Sequence, residues 1–353
     1  MLGLFDSAKS SLLKLETVTT DNPVFRLHYK VTFAILVTFT ILVTSKQYIG
    51  DPIDCIVEGI SPDIMDTYCW IHSTFTVPEA TKVGQAVAHP GVKQPDEEEV
   101  MYHKYYQWVV FMLFFQAMMF YIPRYIWKTA EKGRLSIMTF SLTVPIVDEK
   151  TKTERLKLLR EYYVGNLGKY NMYGLKFAFC EFLNFANVVF QIYFTDVFLG
   201  GHFRNYAPYV FSFQRNETDY NHFAKIFPIV SKCTFHRFGA SGTIQRIDGL
   251  CVLPVNILNE KIYLFLWIWF VTLSIISGLA LIYRLITLIS PGVRLSILQA
   301  IAPLADKKEL RGINQRCQFG DWFILNRLAK NLDSHIYREF VSNLYEQIIG
   351  IKA

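Results

Sequence analysis

Four stretches of this chain run for fifteen residues or more with almost no charged side chain, and few folds can accommodate them. Residues 31–45 (VTFAILVTFTILVTS) are uncharged between Lys30 and Lys46. At 1.5 Å per residue this run is somewhat short of a hydrocarbon core of about 30 Å. Leu27, Tyr29, Tyr48 and Ile49 extend it, and both lysines can lay their aliphatic stems through the interface. Residues 105–123 supply nineteen uncharged positions, and residues 262–283 supply twenty-two, with Trp267 and Trp269 toward one end as at an interface. The run 177–200 is interrupted by Glu181 and ends near Asp196. As buried helices of a soluble protein, four such runs in 353 residues would leave too little polar surface to cover them. They are read as four membrane crossings.

Charge then sets the orientation. Only 19% of residues are charged, against roughly 25% in ordinary soluble domains. Segment 124–171 holds ten Lys/Arg against five Asp/Glu, and the tail from Arg284 holds ten against six. Segment 46–104 holds four against ten. The positive-inside bias therefore predicts a cytoplasmic 124–171 loop and tail, and an outside 46–104 loop. The net charge of +6 reports this asymmetry; there is no long basic tract, and no nucleic-acid partner is expected. Residues 1–20 lack the continuous apolar region of a signal peptide, and Leu4, Leu12 and Leu15 fall near one face of a short amphipathic helix.

The cysteines agree with that topology. Cys55 and Cys69 fall in the first outside loop, and Cys233 and Cys251 in the second, where an oxidising compartment allows bridges. Three pairings are open. The sequon Asn216-Glu217-Thr218 also lies outside, as a glycosylation candidate. Cys180 reads as a small packing residue within the third crossing, and Cys317 as a free thiol in the tail.

The loops are long enough to fold. Tyr68, Trp70, Phe75 and Val77 alternate as a strand would, and residues 244–255 contain a further strand around Cys251, so a small mixed sheet is predicted. The acidic run 96–99 reads as a solvated lead-in to the second helix rather than a cation site. Inside, residues 151–163, 321–328 and 334–349 read as amphipathic helices. No HExxH, GxSxG, glycine-rich phosphate loop or close His/Cys set occurs, so neither enzyme activity, metal nor cofactor is expected. His72, His89, His202, His222 and His236 are dispersed among the outside loops. Glu181 is the exception to apolar content; such a carboxylate either faces a water-filled pathway or makes a structural hydrogen bond between helices.

At SKQYIGDPIDC (45–55), DTYCWI (66–71), STFTVP (73–78) and YYQWVVF (105–111), the chain resembles innexins of the arthropod type. Two cysteines per outside loop match that family, where connexins carry three. The resemblance implies a gap junction subunit: several copies, alone or mixed with other innexins, surround one pore in the plasma membrane, and the hemichannel docks to that of an adjacent cell. Residues 1–22 would form the N-terminal pore helix, with Met1, Leu2, Leu4 and Phe5 as pore-lining candidates; Glu181 of the third crossing is a further candidate on its charge alone. The crossings would span 23–49, 105–127, 172–200 and 262–288. Outside loops 50–104 and 201–261 would be stapled by Cys55, Cys69, Cys233 and Cys251, and 128–171 with 289–353 would form a cytoplasmic helical layer. The fold class expected is all-α transmembrane: a four-helix membrane subunit with a small disulfide-stapled α+β extracellular domain and a helical cytoplasmic domain. Partners are further subunits, the opposed hemichannel and membrane lipids. A glycan at Asn216 could obstruct docking and leave an undocked, pannexin-like hemichannel; a four-span adhesion or scaffold protein is the rival from another class.

Overall fold

The computed structural model describes residues 18–77, 89, 91, 92, 100–140, 142, 149–204 and 226–350. In chain order its elements are α1 (Pro23–Tyr48), β1 (Asp54–Val57), α2 (Pro62–His72), β2 (Thr74–Thr76), β3 (Met101–His103), α3 (Tyr105–Glu131), α4 (Arg134–Met138), α5 (Glu149–Gly165), α6 (Asn171–Phe198), β4 (Val230–Phe238), β5 (Ile244–Val252), α7 (Pro254–Ile289), α8 (Pro291–Ile301), α9 (Lys307–Arg316), α10 (Phe319–Asn331) and α11 (Ser334–Gly350). The four apolar runs lie in α1, α3, α6 and α7, of 26, 27, 28 and 36 residues, each longer than the about 20 needed to cross a bilayer. Each helix outruns its uncharged core because polar residues at the ends find partners. α7 starts at Pro254, whose missing N–H costs nothing in a first turn, and Asn256 donates to the Pro228 carbonyl at 2.8 Å.

The chain divides into two compact units. One comprises Thr32–Met119 and Val188–Leu273. It contains a five-stranded sheet of order β1-β5-β4-β2-β3, every pair antiparallel. The mixed sheet expected is therefore corrected: all four pairs are antiparallel, and β4 turns directly into β5 through residues 239–243, the short return that only an antiparallel pair allows, with Gly242 at φ 78°. The alternation assigned to Tyr68 and Trp70 is also corrected. Both lie in α2, which has Pro62 in its first turn, Asp63 beside its N-terminus and a buried pair, Met65 and Cys69, at helical spacing. Within the same unit the apolar helices meet through Gln116 donating to Thr195 at 2.8 Å, Trp269 donating to Thr32 at 2.9 Å, and edge-on contact of Phe39 with Phe265.

The other unit comprises Met1–Val31, Phe120–Asn187 and Ser274–Ala353. Its centre is α10, in which every residue from Phe319 to Leu328 is buried. The predicted tail helices are longer than read, and α8 and α9 were missed although each has a local start signal: the Ser290 hydroxyl caps α8 ahead of Pro291, and the Asp306 carboxylate caps α9. α10 begins with a reciprocal cap, in which the Gln318 N–H donates to the Asp321 carboxylate at 2.9 Å and the second oxygen accepts from Gly168 N–H, also at 2.9 Å. Gly320 lies so close to the backbone of Tyr170 and Asn171 that a Cβ there would overlap it. Gly320→Ala should therefore destabilise the chain by about 1–3 kcal/mol, read as a lower melting temperature in detergent. An unchanged melting temperature would show that the Tyr170 backbone yields.

Candidate functional site

Two constellations stand out, one in each unit. In the sheet unit, register places Cys55 directly opposite Cys251 in the β1–β5 pair, and these form one disulfide. The second joins Cys69 of α2 to Cys233 of β4, so the helix is bolted across the sheet. All four cysteines are buried with Ile53, Met65, Tyr106 and Leu253. The Asp66 carboxylate accepts from Cys55 N–H at 2.7 Å, and burial pushes its carboxyl above the usual range. Sulfurs of Cys55, Cys69 and Cys251 lie within 4.8 Å of one another, the spacing of a metal-ligand set, but all three are spent in disulfides. Across β2–β3, His103 is buried and bonded to Thr76 at 2.8 Å, and burial lowers its pKa to about 4.

The second constellation gathers charges beside the start of α1. Glu181 of α6 is 7% exposed. One of its carboxylate oxygens accepts from Arg284 Nε at 2.5 Å; the other accepts from Arg284 Nη2 at 2.8 Å and Asn22 Nδ2 at 2.6 Å. The Asn22 carbonyl oxygen in turn caps α1 through Phe25 N–H at 2.7 Å. One residue earlier, the Asp21 carboxylate pairs with Arg26 at 3.1 Å and Arg124 at 3.2 Å, and its backbone carbonyl accepts from Arg327 at 3.1 Å. Thr19 exchanges backbone bonds with the Asn331 side chain, at 2.6 and 3.0 Å. Arg284 and Arg327 both stand over the rings of Phe177 and Phe323, at 4.9–5.5 Å. Burial, with Arg284 nearby, lowers the Arg327 pKa to about 10, so it stays charged at neutral pH.

Of the residues singled out in the sequence, the four loop cysteines are brought together in pairs and Glu181 is tied between α6, α7 and the root of α1. Met1, Leu2, Leu4, Phe5, Asn216 and the acidic run 96–99 lie outside the described residues. Sequence reasoning missed Asp21, Asn22, Arg124, Arg284, Arg327 and Asn331. One signal was available: Arg284 is the first charge after the longest apolar run, and Glu181 is the charge that interrupts another.

The innexin family profile matches residues 21–348. The chain belongs to the innexin family. It is 52% identical to innexin inx2 of Schistocerca americana, over 99% of both chains, and 51% identical to innexin inx2 of Drosophila melanogaster, over 99% of this chain and 97% of the relative. It is 38% identical to Drosophila melanogaster innexin shaking-B, over 99% and 95%. As an innexin with four apolar helices it is a multi-pass membrane protein of the gap junction class.

Two consequences follow for this innexin. Arg284 and Glu181 side chains are each 6% exposed, so removing one partner strands a buried charge at a cost of about 3–5 kcal/mol, while removing both costs less. A double-mutant cycle of Glu181→Gln and Arg284→Met, read by thermal unfolding, should show this coupling; additive losses would deny it. Cys317, the tail thiol, is buried against the Tyr163 hydroxyl at 3.5 Å, and burial pushes its pKa up to about 12. Its thiolate is negligible at pH 7, so Cys317 of the folded protein should resist iodoacetamide and react only after unfolding. Rapid modification of the native protein would contradict that placement.

Proposed function

We propose that this innexin is one subunit of an oligomeric hemichannel that docks to a hemichannel in the adjoining cell and passes ions and small solutes passively. Family membership across residues 21–348 carries the reading. Three physical considerations support it. The helices present large apolar side chains outward, among them Phe111, Phe179, Leu279 and Ile282, each more than half exposed in the single chain, as lipid or neighbouring subunits require. A single set of four packed helices has no room for a wide pore, so subunits must enclose one together. The disulfide-clipped sheet supplies a stiff platform, and its β4–β5 turn is flanked by exposed Phe238 and Ile244, suited to contact with another protein.

In this reading both termini, the 124–171 segment and the tail are cytoplasmic, and the sheet is extracellular. Residues 1–22 and Met1, Leu2, Leu4 and Phe5 line the pore entrance. The asymmetry of ten Lys/Arg against five Asp/Glu in 124–171 and four against ten in 46–104 supports that orientation. The sequon at Asn216 favours a second reading, an undocked hemichannel, because a glycan near the rim would hold opposed hemichannels apart.

Cells expressing the chain, voltage-clamped in pairs with surface delivery measured, should pass a junctional current that needs no energy source. Asn216→Gln should raise coupling at equal surface amount if the glycan obstructs docking. Hemichannel current without coupling in either form would select the undocked reading. Absence of both currents at normal delivery would refute the channel.

A further inference from the structure

The turn that ends α3 builds a site outside both constellations. Lys132 and Gly133 reverse the chain in left-handed conformations, with φ of 52° and 73°, and α4 follows at once. For a lysine this backbone is uncommon, and it is held by Glu131, whose carboxylate accepts from Gly133 N–H at 2.6 Å and Leu135 N–H at 2.7 Å. Together with α5, this turn and the residues after α4 enclose a cavity of about 380 Å³. Met138, Leu142 and Leu159 form its buried lining, and Ile137, Phe140 and Leu158 are 74%, 63% and 49% exposed around it. Lys132, Arg134 and Arg155 also line it. Among the described residues none of the three cations makes an ion pair; Arg155 stands over the Phe140 ring at 5.5 Å and Arg134 over Tyr173 at 5.4 Å. The carboxylate that lines the cavity, Glu131, is already engaged by backbone amides.

We propose that this cavity binds an anionic glycerophospholipid of the adjoining leaflet, its acyl chain against Met138, Leu142 and Leu159 and its phosphate among Lys132, Arg134 and Arg155. A soluble anion would leave the apolar lining wet, and a zwitterionic lipid would leave the cations without net countercharge. The volume is that of a small-ligand pocket. The position also fits: α3 is long and apolar enough to cross a membrane, and its last turn lies beyond the uncharged run, after Arg124 and Lys128, as residues at headgroup level do. A lipid seated there would tie α3, α4 and α5 together. The inference rests on the membrane placement of α3 and not on conduction, so it survives or fails independently of the channel reading.

The test uses the full chain in phosphatidylcholine nanodiscs, doped with phosphatidic acid carrying a diazirine on its acyl chain, or with phosphatidylcholine carrying the same chain. After photolysis, peptide mapping should place acidic-lipid adducts within residues 134–142 and 155–162, competed by unlabelled phosphatidic acid and not by glycerol phosphate. Arg134→Gln with Arg155→Gln should lower that yield on the order of tenfold, at an unchanged melting temperature. Leu159→Trp, which fills the cavity, should abolish it. Equal labelling by the two headgroups, competition by glycerol phosphate, or indifference to the arginine variants would overturn the proposal. So would absence of adducts within these residues.

Discussion

A carboxylate placed among apolar helices obliges its neighbours to neutralise it, and here that obligation organises a whole unit. Glu181 interrupts the third apolar run, and its two oxygens require Arg284 from α7 and Asn22 from the start of α1. Arg284 in turn lies over Phe177 and Phe323, which draws α10 into the same cluster. Three buried guanidiniums, of Arg124, Arg284 and Arg327, face two buried carboxylates, of Asp21 and Glu181. Aromatic faces take up part of the surplus positive charge. Pairing these buried charges disfavours any arrangement that would strand one of them, while the cost of removing them from water keeps their net contribution to stability small.

The same cluster fixes where the N-terminal segment begins. Thr19 is clamped by Asn331 of α10, and Asp21 is held by Arg26, Arg124 and Arg327. In the proposed channel the tail helix α10 would thus set the anchor point of the segment that lines the pore entrance.

The sheet unit solves a different problem. β1, β2 and β3 have four, three and three residues, too few to stand alone, and the loop that carries all three is separated along the chain from the β4–β5 loop by α3 and α6. Disulfides spanning 196 and 164 residues join those loops, and cross-links over such separations remove much of the freedom of the unfolded chain. The wetter, functionally exposed parts can then stay small without loosening.

What the sequence by itself determined is local: four helices long enough to cross a bilayer, the charge asymmetry between segments, cysteines confined to two loops, and helices wherever a proline, a cap and a buried stripe coincide, as at Pro62, Met65 and Cys69. These were legible because bilayer thickness, hydrogen-bond saturation and helical period act on neighbours in the chain. Even there the Tyr68 and Trp70 alternation misled, since a two-residue period over so short a stretch also fits one side of a helix. Which cysteine meets which, and which arginine meets Glu181, was decided only by the tertiary structure. Spacing along the chain leaves three disulfide pairings and several nearby cations equal. Only the antiparallel register that sets Cys55 opposite Cys251, and the packing that brings Arg284 within 2.5 Å of Glu181, make one choice in each case far cheaper than the rest.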